Sequence, residues 1–429
     1  MNLVADVGYR GLQALLQLVL HPFYYVGLIF IVLQYRRQIA FERKLFATKL
    51  HSLVSETWRT VLWGWIGGLF ASVLMAVVGA TVQPEAVTLL WVISLVLILF
   101  RVRFLCWAYA VGIIGVLQTV VGAFGVLRDE ASIAWLTGPL MQLSMPAMLA
   151  LVAILHLVEA LFVRRQGARF GTPMFFGSKR GKIVGGYHLQ GFWPMTLFLL
   201  VPVQNGGPAL PWTPLLGGDL WQHGWALVGF PVMIGFAEMT ISRLPRDKVR
   251  ISSNLLLLYA GIMLGLAALA SLWPVLTLPA CLLCILLHEA IIWYSRWEET
   301  HRVPLFVHGS RGLKILGLLP GSPAEELGMQ VGETVHKVNG VLVRTKSELH
   351  QAMQVNSAFC RLEILNLAGE SKFLKRAMFS GEHHQLGIIL APDQDALHYA
   401  EEKQRPIFAY LSRRLVGLLS KESSQSRSV

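Results

Sequence analysis

The chain has 429 residues, 54% hydrophobic and only 14% charged, where an ordinary soluble domain carries about 25% charge. This excludes a wholly soluble enzyme and a disordered chain, and it fits a polytopic membrane protein with a soluble tail. The net charge of +12 is no nucleic-acid signature, because the basic residues sit in loops between apolar runs.

A helical crossing needs about 20 apolar residues. Taken in order, the predicted spans are Leu12 to Leu33 with a kink at Pro22, Trp58 to Val82, Ala86 to Phe100, Phe104 to Leu127 and Met141 to Val163. They continue with Leu189 to Val203, Trp225 to Ser242, Asn254 to Trp273 and Val275 to Tyr294. The expected fold is mostly α: a transmembrane bundle of eight or nine spans over residues 1–300, then a small α/β domain. The start lacks a basic segment and a small-residue cleavage site, so no cleavable signal is expected. Four cysteines build no disulfide framework, and the Cys281/Cys284 C-x-x-C lies in an apolar helix, where packing is its expected role.

Loop charge alternates. The loops at Gln34, Arg101, Arg164 and Arg243 hold 5, 2, 6 and 4 Lys/Arg; those at Gln83, Arg128, Gln204 and Pro274 hold 0, 1, 0 and 0. The positive-inside rule makes the first set cytoplasmic, and with it everything after the last span. Three acids stand near the cytoplasmic ends of spans: Glu159, Glu238 and Glu289. They read either as a cation or substrate path, or as partners for His156, His288 and the rim arginines.

Past residue 305 the pattern changes to short strands and tight turns. Gly312 to Leu316 alternates like a strand, and Pro320-Gly321 is a turn. Ser322, Pro323 and Glu325 form a capping arrangement for a short helix that Gly328 ends in the left-handed conformation. A strand from Glu333 to Val338 meets the hairpin signal Asn339-Gly340. A helix Ser347 to Gln354 and strands Cys360 to Leu367 and Lys372 to Phe379 follow.

This order, over residues 305–392, resembles the PDZ domain in its bacterial form. The usual carboxylate-binding loop is missing ahead of the Pro-Gly-Ser-Pro-Ala stretch; its nearest match, Leu386-Gly387-Ile388-Ile389, comes last. The domain is therefore compatible with a circular permutation. The resemblance implies a peptide groove edged by Leu386, Gly387, Ile388 and Ile389 and walled by His350 and Met353. The competing reading makes Leu386 to Ile389 a closing core strand. Residues 393–429 hold a basic amphipathic helix, Ile407 to Lys421, which reads either as lying on the inner leaflet or as packed on the PDZ-like domain, and a tail expected to be disordered.

Catalytic signatures are absent. A zinc protease of the membrane needs a second histidine one turn from its His-Glu pair; His288-Glu289 continues Ala290-Ile291-Ile292, so no local zinc site is expected. No phosphate-binding G-x-x-x-x-G-K motif and no serine triad stand out. No cofactor and no metal are expected.

The segments LHPFYYVGLIFIVLQYRRQIAFERKLF and KRGKIVGGYHLQGFWP, with a final span running through Trp297-Glu298-Glu299 into the PDZ-like domain, resemble the MinJ-type division-topology proteins of Gram-positive bacteria. The resemblance implies a non-enzymatic adaptor at septum and poles that bridges a DivIVA-like polar scaffold and a MinD-like ATPase. The alternatives are a transporter or sensor using the three acids, and an intramembrane protease.

Overall fold

The computed structural model describes residues 3–80, 84–124, 134–177, 181–203, 212, 214, 216, 224–356, 358–377 and 386–393. The basic helix expected from Ile407 to Lys421 and the tail after it lie outside the described residues. Pro22 breaks the first apolar run into α1 (Leu3–Leu20) and α2 (Pro22–Phe46), bent by 55°. Its ring cannot donate to the ladder, so it opens a new helix. α2 runs on through the basic segment and stops at Ala47 in the left-handed conformation, φ 55°.

The turn after α2 is organised by a buried acid. Glu42 is fully buried and accepts hydrogen bonds from the Leu50 and His51 backbone N–H groups at 2.7 and 3.1 Å. Its other oxygen lies 2.5 Å from His51 Nδ1. Burial alone would lower the His51 pKa, but the hydrogen bond and charge of Glu42 outweigh it and raise it. A raised histidine contributes its full stability below the ordinary value of about 6.5, and that contribution is lost as pH rises through the raised value. The thermal midpoint of the purified protein should therefore fall as pH climbs above neutrality, and His51→Phe should flatten that slope. Parallel pH profiles for the two proteins would contradict this.

α3 (Leu53–Val78), α4 (Pro84–Phe100), α5 (Trp107–Ala123), α6 (Ala134–Gln142) and α7 (Met145–Gln166) follow. α7 is buried almost all round and forms the axis of the membrane part, while α8 (Pro245–Leu272) and α9 (Thr277–His301) leave much of their surface exposed. Cys281 and Cys284 are fully buried; Cys281 packs where α5 presents Gly115, and Cys284 Sγ lies 3.4 Å from the Ala108 carbonyl.

Two predicted crossings are not helices. Leu189 to Val203 and Trp225 to Ser242 fall in the long strands β2 (Ile183–Pro202) and β3 (Trp225–Thr240), paired antiparallel from Tyr187↔Thr240 to Pro202↔Trp225. β1 (Gly171–Gly177) pairs with the other edge of β2. These runs contain Gly191, Pro194, Gly229, Pro231 and Gly235. Inside a helix each glycine costs about 1 kcal/mol and each proline about 3. A strand buried on both faces reads as continuously apolar, so hydropathy cannot separate it from a span. The apolar parts of α4 and α5 are also short, so the described residues hold four helices long and apolar enough to cross a membrane, or five with α1 and α2 taken as one bent span, against the eight or nine expected. Of the acids expected on spans, Glu238 thus stands on β3.

The C-terminal sheet has the order β8-β7-β5-β4-β9, with β6 (Val341–Leu342) hairpinned onto β5 (Thr334–Val338). β4 is Leu313–Leu318, β7 Phe359–Leu365, β8 Ser371–Ala377 and β9 Ile388–Leu390. Two helices, α10 (Pro323–Glu326) and α11 (Lys346–Gln354), complete it. Asn339 and Gly340 take φ 51° and 85°, the conformation that a type I′ hairpin demands. This sheet sits on the membrane part: the Gly185 N–H donates to the Phe306 carbonyl at 3.0 Å, Leu305 N–H to Ile241 O at 2.8 Å, and the Tyr187 hydroxyl to Leu316 O.

Candidate peptide-docking site

The short helix α10 forms as its sequence dictates. Ser322 Oγ accepts from Glu325 N–H at 3.4 Å, Glu325 reaches back to the Gly321 N–H at 2.6 Å, and Gly328 takes φ 70°. α11 carries a fuller capping box that the sequence reading passed over: Thr345 caps Glu348 N–H at 3.1 Å, and Glu348 accepts from Thr345 N–H at 3.2 Å. The T-x-x-E spacing was the available signal. Asn339 then fastens α11 to the sheet, donating to Ala352 O and accepting from Arg361 N–H, both at 2.9 Å.

The C-terminal strand joins the start of the domain. β9 pairs with β4 through Ile389↔Gly317 and Ile388↔Leu318, and the Leu319 N–H donates to Gly387 O at 2.8 Å. Leu386 O accepts from Ala324 N–H at 2.9 Å, and Ala391 N–H donates to Lys314 O at 2.9 Å. Alternation along a strand then turns the backbone groups of Ile388 and Leu390 away from β4. Among the described residues no further strand pairs with that edge.

The residues expected at the groove separate into two groups. Leu386, Ile388 and Leu390 share a core with Leu349 and Met353 of α11, whereas Ile389 and Ala391 pack toward the membrane part. Met353 is buried in that shared core, and His350 stands exposed on the neighbouring stripe of α11. The two edges of the sheet differ chemically. β8 carries Lys372, Lys375 and Arg376, the usual protection of an edge against pairing; β9 reads Ile-Ile-Leu without a charge.

Gly387 is a point of close approach. It has φ 76°, and a Cβ there would stand 2.2 Å from Ser322 Cβ. Gly387→Val should cost the domain at least about 2 kcal/mol through backbone strain and overpacking. Hydrogen exchange should report it as lost protection at β4 and β9; unchanged protection would contradict the placement.

Two other expectations meet the structure here. Glu289 pairs with Arg103 at 3.0 Å and Glu238 lies 3.8 Å from Lys248, so both acids have cationic partners. Arg164 donates to Asn254 and Arg243 to Glu298 instead of the acids preceding them in sequence. His288 has no second histidine one turn along its helix, and the fold brings His156 and Cys106 to it from other elements. Local spacing could not reveal a cluster gathered from α7, α9 and the start of α5.

Residues 314–365 match a family model described as a PDZ domain. Over 389 residues, 87% of this chain and 93% of the relative, the sequence is 28% identical to the cell division topological determinant MinJ of Bacillus subtilis (strain 168). It is 26% identical over 368 residues, 83% of this chain and 91% of the relative, to a probable cell division topological determinant MinJ of Lacticaseibacillus paracasei. No solved structure matches. The likeness runs through the apolar helices and the C-terminal sheet together: the chain carries a PDZ domain and is similar along most of its length to the MinJ-type proteins.

Proposed function

We propose that this chain is a non-enzymatic membrane adaptor for division-site proteins. Its helices hold it in the bilayer, and the β9 edge docks a peptide segment or free C-terminus by strand addition, with Leu386, Gly387, Ile388 and Ile389 at the edge and His350 and Met353 on the helix beside it. The observation that carries this reading is the uncharged edge of β9, unpaired among the described residues, opposite a β8 edge guarded by three cations. The names of the relatives support a role in placing the septum. The docked partners are a DivIVA-like polar scaffold and a MinD-like ATPase, met at septum and poles.

The basic loops support a cytoplasmic PDZ domain. Replacing two helical crossings by β2 and β3 leaves that parity intact, because an antiparallel pair returns the chain to the side it left. Confinement to a membrane-adjacent layer raises effective concentration, so weak docking suffices. Ile388→Pro tests the reading, since it deletes one edge donor without touching the β4 ladder. The full-length variant should insert normally but fail to retain its division partners, and septa should shift toward the poles. Normal partner recovery and normal septa would refute docking at this edge.

A further inference from the structure

We propose that Cys106, His156 and His288 form a binding site for one borderline-soft transition-metal ion, of which zinc is the commonest. The inference is independent of the adaptor reading. Cys106 Sγ lies 3.3 Å from His156 Nε2 and 3.4 Å from His288 Nε2, and the three ligand atoms all fall within 4.8 Å of one another. A tetrahedral ion with bonds of about 2.3 Å to sulfur and about 2.0 Å to nitrogen separates those two ligands by about 3.5 Å.

The tautomers are forced by what surrounds the rings. His156 Nδ1 is 2.8 Å from the Val152 carbonyl, which only accepts, so Nδ1 carries the proton. His288 Nδ1 is 3.1 Å from the Tyr109 hydroxyl, and that hydroxyl donates its single proton to Glu289 at 2.7 Å. Arg103 lies 3.0 Å from the same Glu289 oxygen. His288 Nδ1 must therefore donate to Tyr109. Both Nε2 atoms are left as lone pairs aimed at one sulfur.

A thiol has one proton and can satisfy only one of them. A buried acceptor without a donor is costly, and a cation removes the mismatch by accepting both nitrogens and the thiolate together. Each histidine also has the outer partner that metal-bound imidazoles use to fix ring orientation: a backbone carbonyl for His156, a Tyr–Glu–Arg relay for His288. Sulfur with two imidazoles suits zinc or copper, not magnesium or calcium. Tyr259 packs edge-on against both rings, at 4.8 and 5.8 Å, and closes one side. Binding replaces the Cys106 S–H bond by a sulfur–metal bond and releases that proton to solvent.

The test is metal analysis of the full-length protein, purified in detergent through a tag without histidines. The expected result is about one zinc or copper per chain, falling at least tenfold in Cys106→Ser, His156→Ala and His288→Ala and unchanged in His301→Ala, which alters an exposed histidine. Cobalt-loaded wild type should show a thiolate-to-metal charge-transfer band, which reads the site without any variant. A metal-free protein that takes up no cobalt, or metal retained in all three variants, would overturn the proposal.

Discussion

Replacing Gly64 and Gly68 together by leucine should leave no folded protein in the membrane. A Cβ at Gly64 would stand 2.2 Å from the Pro194 carbonyl oxygen, and one at Gly68 would stand 2.3 Å from Thr196 O and 2.6 Å from Thr196 N. These are backbone atoms of β2, which β3 flanks along this stretch and which cannot retreat as a side chain would. The next residue in line, Ser72, donates to Gly68 O at 2.6 Å and accepts from Phe198 N–H at 2.8 Å. The line follows from geometry. Four helical residues rise about 6.0 Å and two strand residues about 6.6 Å, so Gly64, Gly68 and Ser72 keep step with Pro194, Thr196 and Phe198.

Overpacking usually costs about 1–3 kcal/mol per site, and a clash with fixed backbone on both turns should exceed about 4 kcal/mol in sum. Gly261 and Gly265 on α8 supply the contrast, because nothing lies within 4 Å of a Cβ at either. Their change to alanine should be neutral or stabilise by up to about 1 kcal/mol each. Yield and thermal midpoint in detergent would read both pairs. Equal effects at the two pairs would remove the close approach of α3 and β2 from the account.

Lys248→Met should loosen the junction between the membrane part and the PDZ domain. Lys248 is 1% exposed, with Glu299 at 3.3 Å and Glu238 and Glu298 each at 3.8 Å. Glu298 has further cations in Arg243 and Arg302. Glu299 instead accepts from the Ile241 and Ser242 N–H groups at 2.9 and 3.1 Å, tying the end of β3 to α9. Removing the shared cation leaves the buried Glu299 and the half-buried Glu238 without it, and deleting one side of a buried ion pair costs about 3–5 kcal/mol. Residues 302–312, which lead from α9 to β4, should become the first site of limited proteolysis. A variant cut no faster than wild type would show that the seat rests on the contacts of Leu305, Phe306 and Leu316 and not on this ionic cluster.

What the sequence disclosed was local chemistry. Ser322 with Glu325, Gly328 and Asn339-Gly340 each state a backbone conformation, and each is found where its residues placed it. The kink at Pro22 belongs to the same class. What it concealed was partnership across the chain. Leu189 and Phe230 are equally apolar in a span or in a sheet buried on both faces, and only the glycines and prolines around them favoured the sheet. Cys106, His156 and His288 are far apart in sequence and met only when the helices packed. The proposed docking edge lies between these cases: Leu386 to Ile389 was visible as a glycine-bearing apolar run, but its place beside β4 depends on a pairing of distant segments.

The proposed docking of division proteins at the cytoplasmic β9 edge is tested most directly by a photo-crosslinking residue placed at His350 of the full-length protein in dividing cells. Adducts with cytoplasmic division-site proteins should form and should disappear when Ile388→Pro is added. Absence of such adducts, or adducts indifferent to Ile388→Pro, would contradict it.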